Sequence, residues 1–345
     1  MIDRQGMRFC RTKARPLIVL GLVSLGMLTA QADTVYVSFS GNSNTIGTFN
    51  SNQGPGDSVF GTYPNANLNY ANGIAFDTTG KLYVANSNNG TITRFDSQHN
   101  ASPFASGVTL FSPSALAFDQ NGNLYVSNSN GTIKKITPSG VGTTFATITG
   151  IPTGLAFDTK GNLYVADYIN SQIVKITPAG DKTLFADNGG YTTLNRPVGL
   201  AFDAQGNLYA ANSDSSLNTV RKFTSIGDDL GVFASAGLAN PNGLAFDSNG
   251  NLFVANFHHT QVGAQYEGSG YSTIVEFSSA GGLVNTFYDS TYGPSNGLHD
   301  AGYIAITNNA GQPLIQPTPE PSTGLLLAMG AACLGLRPSR SRRKT

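Results

Sequence analysis

Three asparagines stand directly before a glycine at the beginning of a segment that recurs along the chain: Asn72, Asn242 and Asn296. A second recurring segment ends in further oxygen donors, which are Asn86, Asn128, Asp167, Asn212 and Asn256. Because Ca²⁺ prefers amide and carboxylate oxygens, these residues predict a candidate calcium site made of Asn242, Asn296 and Asp167. Asparagine before glycine also has a purely structural interpretation, since it bonds its own backbone in tight turns.

A second candidate site lies in an irregular stretch from Phe257 to Tyr271. Four of its side chains could contact a ligand: His258, His259, Tyr266 and Tyr271. Adjacent residues of a strand point to opposite sides, so the two histidines are not expected to ligate one metal ion. Two interpretations stay open, a surface that stacks sugars or binds polar groups and an idle insertion.

Other reactive groups are sparse in the central part of the chain. Both cysteines, Cys10 and Cys333, lie near the chain ends, and no Ser/His/Asp set, phosphate-binding glycine loop or Cys/His metal motif is present. Between Asp33 and Glu320 there are 10 basic and 19 acidic residues, a net charge near −9. Nucleic-acid binding needs clustered basic residues, so the charge argues against nucleic acid as a partner.

Five repeats must position these candidate residues. Each has an apolar run, an Asp-x-x-Gly turn and a second apolar run, and the repeats begin at Gly73, Ala115, Gly154, Gly199 and Gly243. The starting points are 42, 39, 45 and 44 residues apart, which is long enough for four short strands. Aspartate at the start of the turn and glycine at its end are typical of hairpins. The pattern predicts an all-β fold, a β-propeller of four-stranded antiparallel blades.

The two ends of the array predict how the ring closes. Val35 to Ser38, Thr45 to Phe49 and Ser58 to Phe60 match strands two to four, but no first strand precedes them. We expect Gly297-Leu298, followed by Tyr303 to Ile306, to supply it. One composite blade from both termini gives six blades and no free sheet edge. The loops before strand one and after strand two then open on one face, which brings Asn72, Asn242 and Asn296 near the irregular stretch.

Both chain termini carry transport signals. Basic residues precede the apolar run from Pro16 to Thr29, and Ala30-Gln-Ala32 is a small-x-small site, which predicts a signal peptide over residues 1–32 that signal peptidase removes. After a propeller over 33–310 and a linker over 311–318, residues 319–345 form a tail. There, Pro319-Glu320-Pro321 precedes an apolar run from Gly324 to Leu336 and an arginine-rich end. The run is short for a membrane core of ~30 Å, but the basic residues fit a positive-inside stop.

This tail closely resembles the PEP-CTERM sorting signal of Gram-negative bacteria over Pro319 to Lys344. The resemblance implies an exosortase-type transpeptidase as a partner. It also implies a transient anchor in the inner membrane, formed by a short transmembrane helix, and delivery to the cell surface or the exopolysaccharide matrix.

The repeats from Val35 to Ile306 resemble NHL and gluconolactonase-like six-bladed propellers. The resemblance rests on Pro-x-Gly-Leu-Ala-Phe-Asp and on Gly-Asn-Leu-Tyr-Val-Ala-Asn/Asp. In the gluconolactonase-like family the asparagine of Pro-Asn-Gly is a ligand of a divalent metal, and Pro241-Asn242-Gly243 matches that motif. The family's metal-binding glutamate on a first strand and its catalytic aspartate have no counterpart.

Two functions follow as alternatives. The favoured one is a non-catalytic surface or matrix propeller that binds exopolysaccharide, another glycan or surface proteins. The other is a Ca²⁺-dependent, lactonase-like hydrolase or a lyase. The sequence assigns no catalytic residue for either.

Overall fold

The structure, a computed structural model, describes residues 32–40, 45–52, 61–62, 68–189, 194–214, 216–257, 272–288, 301–308, 310 and 312–314. In this part of the chain every regular element is a β-strand. Accordingly, none of these residues belongs to an apolar helix of membrane-spanning length.

The strands follow one another in blade-sized groups. The chain begins with β1 (Thr34–Phe39), β2 (Thr45–Asn50) and β3 (Gly61–Thr62). Blade 1 is β4 (Ala71–Phe76), β5 (Leu82–Asn86), β6 (Thr91–Phe95) and β7 (Ala101–Phe104). Blade 2 is β8 (Pro113–Phe118), β9 (Leu124–Asn128), β10 (Thr132–Ile136) and β11 (Gly142–Thr147). Blade 3 is β12 (Pro152–Phe157), β13 (Leu163–Asp167), β14 (Gln172–Ile176) and β15 (Lys182–Ala186). Blade 4 is β16 (Pro197–Phe202), β17 (Leu208–Asn212), β18 (Thr219–Phe223) and β19 (Asp229–Ala234). Blade 5 is β20 (Pro241–Phe246), β21 (Leu252–Asn256), β22 (Thr273–Phe277) and β23 (Leu283–Tyr288), and β24 (Ala301–Thr307) comes last.

These strands form six four-stranded antiparallel sheets, and the predicted six-bladed propeller is confirmed. The sixth sheet has the order β24-β1-β2-β3, so the composite blade joins both ends of the array. Its first strand is Ala301–Thr307, and Gly297-Leu298 lies outside the described residues. We call the face with the loops before strand one and after strand two the upper face. The lower face carries the hairpins between strands one and two.

The lower hairpins form because the aspartate of each Asp-x-x-Gly turn binds its own backbone. In blade 1, Asp77 Oδ1 accepts hydrogen bonds from the backbone N–H groups of Thr79 (2.8 Å) and Lys81 (3.0 Å). The turn ends at Gly80, whose φ of 82° is a conformation that glycine adopts without strain. In the other four repeats the aspartate likewise accepts hydrogen bonds from two backbone N–H groups of the turn.

Aromatic side chains from strands one, two and four join neighbouring blades. Tyr83 packs edge-on against Phe104 of its own blade and Phe118 of the next, with ring centroids 4.9 and 5.0 Å apart. The same contacts surround Tyr125, Tyr164 and Tyr209. Such edge-to-face pairs stabilise beyond the area they bury. The repeated aromatics therefore form the core between blades.

Around the central channel the first strands approach each other closely. A Cβ atom at Gly199 would lie 2.0 Å from the backbone O of Asn242, and one at Gly154 would lie 2.0 Å from that of Val198. Only a residue without a side chain fits at these contacts. This explains why four of the five repeats begin with glycine.

Candidate functional site

A β-bulge at the upper end of each first strand directs side chains toward the channel mouth. In blade 1, Ala71 pairs with Asn86 and Ile74 pairs with Val84, so Asn72 and Gly73 together oppose one residue. The same shift occurs in blades 2 to 5. Bulges of this kind re-aim a side chain and are frequent next to functional sites.

The strand pairing of the composite blade identifies which of its residues lies at the channel mouth beside the bulges of the other five blades. Val37 pairs with Ile304, as Val84 pairs with Ile74, so Tyr303 occupies the position of Gly73 and Gly302 that of Asn72. The ring at the upper mouth is therefore Asn72, Ser114, Thr153, Val198, Asn242 and Gly302. Asn296, which we expected at the last of these positions, lies outside the described residues.

Tyr303 closes the channel below this ring. Its side chain extends past blade 1, and its hydroxyl lies 3.2 Å from Ser114 Oγ of blade 2. Burial raises the pKa of Tyr303 to about 12, although the hydrogen bond with Ser114 lowers it. The phenol is therefore neutral at physiological pH, and it can donate or accept a hydrogen bond without acting as a base.

Asn242 is the unusual member of the ring. The side chain is partly exposed, but its Oδ1 is buried and has no hydrogen-bond partner among the residues that the structure describes. A buried acceptor without a partner costs about 1–3 kcal/mol. A ligand with an N–H, an O–H or a cation would satisfy this oxygen, which makes Asn242 the strongest candidate for a ligand contact.

The asparagines at the ends of the second strands have a structural role. Asn86, Asn128, Asn212 and Asn256 are fully buried, and each Oδ1 accepts a hydrogen bond from a backbone N–H in the loop before strand one of its blade. The donors are Asn69, Phe111, Asn195 and Ala239. These side chains hold the upper loops in place.

Asp167 stands at the same position in blade 3 and is also fully buried. Its carboxylate accepts hydrogen bonds from the side-chain amides of Asn170 (2.8 Å) and Gln172 (3.1 Å). Blade 4 separates it from Asn242 of blade 5. Within the described residues there is no group of three or more His, Cys, Asp or Glu side chains that could hold a metal ion. The calcium site of Asn242, Asn296 and Asp167 stays a prediction.

His258, His259, Tyr266 and Tyr271 lie outside the described residues, but both ends of that stretch are described. Phe257 N donates to Asn240 O (3.0 Å), in the loop that leads to Asn242. Ser272 Oγ accepts a hydrogen bond of 2.9 Å from Ala301 N of β24. The stretch therefore leaves and re-enters the fold on the upper face, beside blade 5 and the composite blade.

The upper face also carries apolar side chains that the sequence reasoning missed. Tyr70, Phe111 and Ile169 are 46%, 49% and 59% exposed and belong to the upper loops of blades 1, 2 and 3. Tyr70 has a φ of 60°, which is rare for a bulky residue. Ser112, Arg196 and Asn240 have the same positive φ directly before the first strands of blades 2, 4 and 5, so this conformation belongs to the repeated loop. In the sequence, Tyr70, Phe111 and Ile169 could have been noticed because they differ from the residues at the same positions of the other repeats.

On the lower face, blade 5 lacks the cationic residue that the third strands of blades 1 to 4 carry. In blade 4, Lys222 Nζ lies 3.3 Å from Asp203 Oδ2 and 5.0 Å from the ring centroid of Tyr209. In blade 5, the same register position holds Glu276, which pairs with Phe253. Burial and the nearby carboxylate of Asp247 raise the pKa of Glu276 to about 7. The replacement of a basic residue by Glu276 is visible in the sequence, since the other four repeats have Arg or Lys at that position.

Comparisons with known proteins agree with this architecture. The structure resembles a chain of a nidogen–laminin complex, with a TM-score of 0.62, 16% identity and coverage of 80% of this chain and 98% of that one. A protein of unknown function from Bacteroides caccae gives a TM-score of 0.59 at 17% identity, with 81% and 100% coverage. Virginiamycin B lyase from Staphylococcus aureus gives 0.54 at 15% identity, with 82% and 94% coverage. At these identities the likeness shows the fold alone, and the six sheets of this chain define its class, the six-bladed propeller.

Sequence profiles define the family. The Teneurin NHL domain profile matches residues 93–265, half of the chain, and an NHL repeat profile matches residues 68–95. The chain belongs to the Teneurin NHL domain family, and its resemblance to NHL propellers is confirmed. A search of curated proteins found no significant sequence match.

The tail is matched by the PEP-CTERM protein-sorting motif over residues 317–343, which confirms that resemblance. This signal indicates export with the help of an exosortase-type enzyme and membrane-anchored transit before release.

Proposed function

We propose that the protein is a non-catalytic binding scaffold of the cell surface or the exopolysaccharide matrix, and that its upper face binds a glycan or a surface protein. In this proposal signal peptidase removes residues 1–32. The propeller of residues 33–310 is then delivered through the sorting tail.

The unpartnered Oδ1 of Asn242 carries the proposal, because a folded protein leaves few buried acceptors unsatisfied. It lies in a ring of amide, hydroxyl, apolar and backbone groups above the neutral phenol of Tyr303. Such groups suit hydrogen bonding to sugar hydroxyls or peptide groups. The exposed Tyr70 and Phe111 on the same face add surfaces on which a sugar ring can stack.

The second candidate is a Ca²⁺-dependent, lactonase-like hydrolase or a lyase. The unpartnered Oδ1 of Asn242 also favours this candidate, since a neutral amide oxygen is a suitable Ca²⁺ ligand. In that case Asn242 would act together with residues outside the described part, Asn296 among them.

The test combines Asn72→Ala and Asn242→Ala with replacement of residues 258–270 by a short Ser-Asn-Gly turn. We expect loss of retention on the host's own exopolysaccharide or surface proteins while the thermal unfolding stays cooperative. Asn121→Ala, an exposed asparagine on the lower face, is the matched control and should bind normally. Unchanged retention in the folded triple variant would exclude the upper face.

Chelation separates the two candidates. The scaffold is expected to keep its melting temperature after dialysis against a chelator and to leave lactones intact. A chelator-dependent drop in melting temperature together with lactone hydrolysis would favour the enzyme.

A further inference from the structure

Both ends of the propeller lie on its lower face. Near the N-terminus, Asp33 Oδ2 accepts a hydrogen bond of 2.7 Å from Ser248 N, in the lower hairpin of blade 5. At the other end, β24 runs from Ala301 at the upper face to Thr307 at the lower face. The chain therefore enters and leaves the fold on one side.

The segment after β24 turns back into the lower mouth of the channel. Asn308 N donates to Gln312 O (2.8 Å), Thr307 pairs with Pro313, and Leu314 N donates to Ile306 O (2.9 Å). Pro313 and Leu314 line a largely apolar cavity of about 160 Å³ at this mouth, together with the lower halves of all six first strands. Leu314, the last described residue, therefore lies in the lower mouth of the channel, below Tyr303.

The sorting tail follows after a short connection. Nine residues, 315–323, separate Leu314 from the apolar run that begins at Gly324. A fully extended chain spans at most about 3.3–3.6 Å per residue, so the connection reaches roughly 30 Å. It begins near the propeller axis, at the centre of the lower face.

This reach is too short for the upper face to contact a membrane that holds the tail. The connection would have to cross a blade, about 14 Å for the three spacings of four strands at ~4.8 Å each. It would then have to pass along the height of a six-residue strand, about 20 Å. These two distances already exceed the reach, before loops and side chains are included.

We propose that in the membrane-anchored form the lower face is held against the bilayer and the upper face points away from it. The ring of Asn72 and Asn242 is then presented to the matrix before the tail is cut. The lower face, from whose centre the tail emerges, is the side on which the tail-processing enzyme meets the propeller. The proposal rests on the sorting tail and needs no ligand on the upper face.

The experiment measures energy transfer from the propeller to the bilayer. The anchored full chain, with Cys10 and Cys333 replaced by serine, is reconstituted in vesicles that contain an acceptor-labelled lipid. A donor dye is placed on exposed positions in matched pairs: Thr78→Cys below and Asn88→Cys above in blade 1, then Thr159→Cys below and Ile169→Cys above in blade 3. We expect transfer to be at least twofold more efficient from the lower member of each pair.

Two controls make the result specific. A flexible insert of about 20 Gly/Ser residues after Gln316 removes the length restriction, so the difference within each pair should shrink. Chains that end before Pro319 should show no transfer from any position. Equal or stronger transfer from the upper positions, or absence of transfer in the anchored chain, would overturn the proposal. Neither outcome depends on glycan, protein or Ca²⁺ binding, which the upper-face variants test separately.

Discussion

Two asparagines of blade 5 have opposite surroundings, and this contrast can be measured. Asn256 binds Ala239 N, Gly237 O and Thr273 Oγ1 at 3.0, 2.8 and 2.9 Å, while Oδ1 of Asn242 has no partner in the described part of the chain. A side chain whose hydrogen bonds are made within the fold stabilises the folded state. A side chain whose hydrogen-bond partner is a ligand does not stabilise the ligand-free protein.

Asn256→Ala is therefore expected to lower the free energy of unfolding by about 1–3 kcal/mol, because it leaves buried groups unpaired. Asn242→Ala removes an unsatisfied acceptor, so its effect should be near zero or stabilising. Chemical denaturation at constant pH measures both. Equal destabilisation by the two substitutions would show that Asn242 has a structural role.

Glu276 is a second residue with a measurable signature. Its pKa, raised from 4.5 to about 7, means that the folded state binds more protons than the unfolded state between these values. The contribution of Glu276 to the stability therefore falls as the pH rises from about 4.5 to 7, by an amount on the order of 2–3 kcal/mol.

Glu276→Gln should flatten this pH dependence and raise the melting temperature at pH 7 and above. Glu276→Lys places a cation beside Asp247, as Lys222 lies beside Asp203, and should stabilise further at the same pH. Melting temperatures of the wild type and both variants, measured from pH 4 to 8, test these expectations. The same pH dependence in the wild type and in Glu276→Gln would contradict the account of a buried, destabilised carboxylate.

At the scale of the strand, the first strand of each blade is selected for close backbone approach as well as for apolar content. The Cβ position at Gly199 lies 2.0 Å from Asn242 O, a backbone atom that cannot rotate away. This contact also fixes the position of Asn242 at the channel mouth.

Gly199→Ala should reduce the free energy of unfolding by about 3 kcal/mol, because blades 4 and 5 must separate to accommodate the methyl group. Gly107→Ala is the matched control, since a Cβ there meets nothing within 4 Å, and should change stability by less than about 0.5 kcal/mol. Similar unfolding midpoints for the two variants would contradict the close packing of the first strands.

For the whole molecule, ring closure depends on residues at opposite ends of the chain. β24 pairs with β1, and Tyr303 N donates to Ser38 Oγ at 2.9 Å across 265 positions of sequence. Without β24 the edge of β1 would be unpaired, and edges of this kind promote aggregation.

A chain that ends at Asp300 should therefore aggregate or lose cooperative unfolding, whereas one that ends at Gln316 keeps β24 and Leu314 and should melt like the parent. Light scattering during thermal unfolding compares them. Cooperative melting of the shorter chain at the parent temperature would contradict closure by the composite blade.

The sequence by itself determined the number of blades, their strands, the lower hairpins and the C-terminal sorting signal. Each of these depends on a local pattern: alternation of apolar residues, aspartate and glycine at fixed turn positions, or charge next to an apolar run. Local patterns are visible without knowledge of what lies opposite in space. The composite blade was predictable for the same reason, since a missing first strand is a break in a regular repeat.

Only the tertiary structure decided which side chains have a partner. The asparagines that end the second strands and those that begin the first strands look alike in sequence. Among the described residues, however, the side chain of Asn256 has hydrogen-bond partners and the Oδ1 of Asn242 has none. The register of β24 places Gly302 and Tyr303 at the channel, and this depends on pairing with β1, far away in the chain. The position of Leu314 in the lower mouth of the channel likewise depends on contacts with strands from all six blades, which no spacing along the chain encodes.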